Sequence, residues 1–159
     1  MTDNTGQVTV NQIFKQLNDK ANLLYKFAML YGNYAVEGQD YGTGDMINMV
    51  AVHTLTAIEE NPGITITELA AMWNRTKGAI SQIATKLEKR GFIERRKEPG
   101  NGKHVFLFPT DKGVQLSNCH KRYDAIVTSK TMDDLMKAGC TESEIDAFFK
   151  VIEKYNELL

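Results

Sequence analysis

Val10, Ile13, Phe14, Leu17, Ala21, Leu24, Ala28 and Tyr31 recur every three or four positions. That spacing keeps them on one stripe and predicts a long amphipathic helix ending near the loop EGQDYGTGD. The stretch MINMVAVHTLTAIEE, over about residues 45–60, is apolar on most sides, as in a short helix buried centrally; Asp45 is placed to cap it and Asn61, Pro62 and Gly63 to stop it. Thr65 and Glu68 have capping-box spacing and open a helix whose Ile66, Leu69, Ala70 and Trp73 are expected to point inward. Asn74 and Arg75 make a tight turn. Thr76 then caps a helix with Ile80, Ile83, Ala84 and Leu87 as its buried stripe and Gly91 as its terminator. FIERRKE alternates, PGNGK suits a hairpin tip, and VFLFP returns as a second short strand. A helix over about residues 110–128 opens with Thr110 and Asp111, its stripe interrupted by Gly113. Thr141 and Glu144 form another capping box, ahead of an apolar face of Ile145, Phe148, Phe149, Ile152, Tyr155 and Leu159.

The helix in RTKGAISQIATKLEKRGF is unusual in its second face. Lys77, Gly78, Ser81, Gln82, Thr85, Lys86 and Lys89 share a side with no acid, where a solvated helix usually mixes glutamate with lysine. Residues 75–104 hold nine basic and three acidic residues, a balance of +6. The chain total is −1, so the remainder carries −7. This polarity, hidden in the total, points to a polyanionic partner at one end.

At 159 residues and 42% hydrophobic content the chain suits a single domain with a real core. It has no apolar run long enough to span a membrane and no secretion-signal pattern, so a cytoplasmic protein is expected. Two cysteines, Cys119 and Cys140, are too few for a disulfide framework.

Helix, helix, tight turn, helix and β-hairpin is the order of a winged helix-turn-helix, and the charge excess falls on its last helix and wing. The fold class is therefore mainly α with a small β-wing, and the expected partner is double-stranded DNA. Ser81, Gln82 and Thr85 would reach base edges, Gly78 would permit close approach, and Lys77 and Lys86 would neutralise phosphates.

ITELAAMWNRTKGAISQIATKLEKRGFIERR, followed by the wing and LFPTDKG, resembles the MarR family of bacterial transcriptional regulators, with LA, LEKRG, IERR and TDKG in the family's order. The resemblance implies a homodimer interleaving N- and C-terminal dimerisation helices (about residues 10–38 and 111–159) around a DNA-binding lobe (about residues 45–110). It implies a repressor bound to a palindromic operator with half-sites about one helical turn apart. The DNA-binding set becomes Thr76, Lys77, Gly78, Ser81, Gln82, Thr85, Lys86, Arg95, Lys103 and His104. The wing departs from the family pattern: Asn101 and Gly102 stand where an acid and an arginine are usual, so Lys103 is expected to reach phosphate instead.

The resemblance also implies a small aromatic or lipophilic effector between the dimer helices and the lobe, with Tyr31, Tyr34, Tyr41, Met46, Met49 and His53 as candidates. Cys119 and His120, adjacent on a helix, diverge by about 100°. The reading assigns no metal and no cofactor, leaving a metal-responsive regulator built on His53 and another segment as an alternative. No nucleophile elbow, phosphate-binding glycine loop or HExxH motif points to an enzyme, and no histidine is singled out by a local acid. A winged helix used to dock protein is the other alternative.

Overall fold

The computed structural model describes residues 10–98 and 101–158; the side chains of residues 16, 98 and 101–104 lie outside that description. In chain order the elements are α1 (Val10–Val36), β1 (Gly38–Asp40), β2 (Met46–Asn48), α2 (Met49–Glu60), β3 (Ile64–Thr65), α3 (Ile66–Met72), α4 (Lys77–Lys89), β4 (Ile93–Glu98), β5 (Asn101–Pro109), α5 (Asp111–Lys137) and α6 (Glu142–Leu158).

α2 is central because it is apolar nearly all round. Val52, Leu55 and Ile58 are fully buried and share the core with Leu69 of α3, Ile80 and Leu87 of α4, Phe92 and Leu107 of the wing, and Leu116 of α5. Burying each such side chain contributes roughly 1.5–3 kcal/mol, so this cluster orients the lobe. Thr65 and Glu68 form the expected capping box, and Thr141 and Glu144 repeat its hydrogen bonds before α6. Thr76 Oγ1 accepts from Ala79 N at the start of α4. The turn before α4 uses Asn74 at φ 45°, and the turn after it uses Gly91 at φ 74°, conformations that Asn and Gly tolerate best.

The wing is the three-stranded antiparallel sheet β3-β5-β4, with Arg95 opposite Leu107 and Ile64 opposite the same Leu107 on the other side. Strand β3 was not expected, since two residues carry no periodicity. Nor was the β1–β2 hairpin within the loop after α1, whose turn Asp40 Oδ1 holds by accepting from the amides of Gly42, Thr43 and Gly44.

Three expectations are corrected. Asp45 does not cap α2: Asn48 does, accepting from Ala51 N, while Asp45 pairs with Arg90 and Lys112. Trp73 does not point inward. It ends the seven-residue α3 and is 41% exposed, its ring 6.3 Å from that of His53. The helix after the wing continues well past residue 128, to Lys137. Gly113, which weakens its apolar stripe, is a packing requirement there, because a Cβ would overlap the carbonyl oxygen of Phe92.

Candidate nucleic-acid interface

α4 buries Ile80, Ala84 and Leu87 and turns its other side outward. On that side Thr76, Lys77, Gly78, Gln82 and Lys86 are exposed, while Ser81 and Thr85 are half-buried. Among the described residues, Lys77, Lys86 and Lys89 have no ion-pair partner, so their charges are open to a polyanion. No acid stands in the first turn of α4, leaving the positive end of its dipole unopposed.

Arg95 is committed differently. Its guanidinium reaches back from β4 to α4, donating to Thr85 Oγ1 at 2.9 Å and to Ser81 O at 3.4 Å, with Nε 3.5 Å from Glu88. Thr85 in turn donates to Ser81 O at 2.8 Å. The Thr85 hydroxyl therefore has its proton and a lone pair in use, and Ser81, Gln82 and the lysines are the freer groups. Arg96 pairs with Glu94 and lies over the Phe108 ring, 4.2 Å from its centroid. The side chains of Lys103 and His104 lie outside the described residues.

A second concavity of about 940 Å³ lies between α1, α2, α5 and α6. Tyr31, Tyr34, Met49 and His53 line it as candidates named from the sequence, joined by Phe27, Tyr123, Asp124 and Phe148. Tyr41 and Met46 do not. Tyr41 is buried against the rings of His120 and Tyr123, and burial pushes its hydroxyl up to about 12; Met46, on the outer hairpin, is 59% exposed.

His120 is the group that sequence reasoning missed. It is 2% exposed; its Nδ1 lies 3.1 Å from Thr56 Oγ1 and its Nε2 lies 3.0 Å from Asp124 Oδ2. His53 Nε2 lies 3.8 Å from the same carboxylate oxygen. The signal was present as an i, i+4 pair on α5, but a histidine and an aspartate one turn apart are common on solvated helices. Only the fold brings His53 to them. Burial lowers the pKa of His120 from its ordinary value, outweighing the opposite pull of Asp124. Among the described residues these three side chains form the group that could hold a metal ion.

A short helix pair joined by a tight turn, with an antiparallel wing following the second helix, defines a winged helix-turn-helix protein. Residues 47–105 match the MarR family model. Over 84 residues the chain is 33% identical to a protein of Bacillus subtilis (strain 168) named "Uncharacterized HTH-type transcriptional regulator YhjH", a match covering 53% of this chain and 48% of that one. The chain thus spans about half the length of the curated relatives it matches. Its fold is similar to a structure of MarR, at 29% identity and TM-score 0.52 over 70% of this chain and 77% of that one. It is also similar to Streptococcus pneumoniae FabT in complex with DNA, at 21% identity and TM-score 0.64 over 91% of this chain and 96% of that one. None of the described helices is long and apolar enough to cross a membrane.

Proposed function

We propose that this protein is a transcriptional regulator, acting in the cytoplasm rather than as an enzyme, which binds double-stranded DNA sequence-specifically as a homodimer. The observation that carries this reading is the outer face of α4, which has no acid in its first turn and bears exposed lysines without ion-pair partners among the described residues, the one carboxylate of the helix, Glu88, being paired with Arg95. Gln82 and Ser81 read base edges in the major groove, Lys77, Lys86 and the N-terminal amides of α4 hold phosphate, and Gly78 allows the backbone close to the duplex. Arg95 and Thr85 set the angle of α4 on the wing. Lys103 and His104 at the wing supply backbone contacts. The similarity to FabT, crystallised with DNA, supports the same use of the fold.

Apolar side chains on α1 and α6 support the dimer. Phe14 is 65% and Leu17 62% exposed, and Phe148, Phe149, Val151 and Tyr155 are also uncovered. A helix pair with this much open apolar surface is covered in solution, and a second copy places two α4 helices on successive major-groove faces of a palindrome. The protein represses by occluding its promoter, and an aromatic or lipophilic effector in the cavity of Tyr31, Tyr34, Met49 and His53 releases it.

Selection of bound duplexes from a random pool tests the proposal. It should return an inverted repeat, and gel shifts on that site should weaken steeply with salt. Gln82→Ala should cost about 1–3 kcal/mol on the selected site and relax discrimination at one base pair. Enrichment of no sequence, with salt-insensitive behaviour, would instead indicate a module that docks protein.

A further inference from the structure

We infer that His53, His120 and Asp124 form a binding site for a divalent transition-metal ion of the zinc class, set in the wall of the cavity between α1, α2, α5 and α6. The donor atoms of all three lie within 4.8 Å of one another, and the two given by contact, 3.0 and 3.8 Å, bracket the ~3.3 Å separation between ligands of a tetrahedral ion. Two imidazoles and one carboxylate suit zinc and its neighbours better than magnesium or calcium, which favour oxygen.

The hydrogen bonds behind His120 argue that its Nε2 presents a lone pair. Glu59 only accepts, and it takes a hydrogen bond from Lys121 at 2.6 Å. Ser117 Oγ lies 3.3 Å from Glu59 and 3.1 Å from Thr56 Oγ1, which meets His120 Nδ1 at 3.1 Å. With Ser117 donating to Thr56 Oγ1 or Glu59, Thr56 Oγ1 remains able to accept from Nδ1–H at 3.1 Å, the tautomer that leaves Nε2 its lone pair. The other tautomer leaves an Nε2–H with no acceptor, since Nε2 is buried without an aligned hydrogen bond although Asp124 is 3.0 Å away. An imidazole lone pair facing a carboxylate oxygen at that distance calls for a cation between them.

The same chain of hydroxyls fixes the orientation of His120, as an outer shell does for a metal-ligating histidine. His53 packs its ring edge-on to His120 with centroids 4.6 Å apart. The remaining coordination positions face the cavity, which both His53 and Asp124 line.

Calorimetric titration of the metal-free 159-residue chain with Zn²⁺ tests the site, with circular dichroism verifying that each variant is folded. We expect one ion per chain. His53→Gln and Asp124→Asn, both at half-buried positions that tolerate change, should each weaken binding at least about tenfold, and Thr56→Val about ten- to a hundredfold through the orientation of His120. A Cys119→Ser, Cys140→Ser double variant should bind as the parent does. Absence of binding by the parent chain, undiminished binding by either His53→Gln or Asp124→Asn, or loss of binding in the thiol variant would overturn the assignment. The titration contains no DNA, so its failure would leave the DNA-binding reading standing.

Discussion

Gly113 and Arg95 show how much single positions decide. Gly113 sits where α5 crosses the backbone of Phe92, and even a methyl group would overlap that carbonyl and press on Leu55. Gly113→Ala should therefore lower stability by about 1–3 kcal/mol, as overpacking does, read as a lower urea midpoint. A helix propensity argument alone gives the opposite sign. Arg95 holds Thr85 and Ser81 O from the wing, so its charge is spent inside the lobe. Arg95→Ala should weaken operator binding while leaving the slope of log affinity against log salt nearly unchanged. On the proposed docking of α4, in which Lys86 meets phosphate, Lys86→Ala should flatten that slope by about one unit. Parallel gel-shift series in increasing salt separate the two behaviours.

Among the elements, the helix starts are the most firmly specified locally. In α3, Thr65 N and Oγ1 both donate to Glu68 while Glu68 N donates back, and Thr141 and Glu144 do the same before α6. Hydrogen bonds from the backbone at Thr65 and Thr141 lower the pKa of each carboxylate from its ordinary value. A group with a depressed native pKa binds protons more readily when unfolded. Its contribution is thus fully present above the unfolded value of about 4.3 and is lost as pH falls through the lower native value. Glu68→Gln should accordingly lower stability modestly at neutral pH, where the carboxylate's contribution is fully present, and flatten the acid limb of a stability–pH curve so that variant and parent converge below about pH 4, measured by urea denaturation at a series of pH values. The start of α5 is held from outside itself: Thr110 Oγ1 donates to Gly91 O at 2.6 Å, Arg90 and Lys112 share Asp45, and both cations lie over the Phe92 ring. This ties the C-terminal end of α4 to the loop before α2.

For the whole molecule the governing feature is its open apolar surface at the two ends of the chain. α6 has no buried residue, and α1 exposes Val10, Phe14, Leu17 and Leu23. On the dimer reading, Phe14→Glu with Leu17→Glu should convert the protein to a monomer in sedimentation, reduce its thermal stability, and cost most of its affinity for an inverted repeat while sparing weak binding to random duplex. A dimer that persists in that double variant would move the interface elsewhere. The cavity and the three-residue cluster lie between these helices and the lobe.

What could be read directly from the residues was whatever local chemistry dictates. Capping boxes at Thr65 and Thr141, the terminating Gly91 and the two-faced pattern of α4 depend on neighbours within one or two turns, so the winged order and the basic face were legible in advance. The MarR resemblance rested on motifs over residues 66–113, most of which fall within the stretch that the family model matches. The tertiary structure alone decided which polar groups meet. Asp45 left the start of α2 for Arg90 and Lys112, 45 and 67 positions away, and Thr85 was claimed by Arg95. His53 met His120 and Asp124 only because α2 packs against α5. Pairings across such separations are set by how buried stripes dock, and no periodicity along the chain records them.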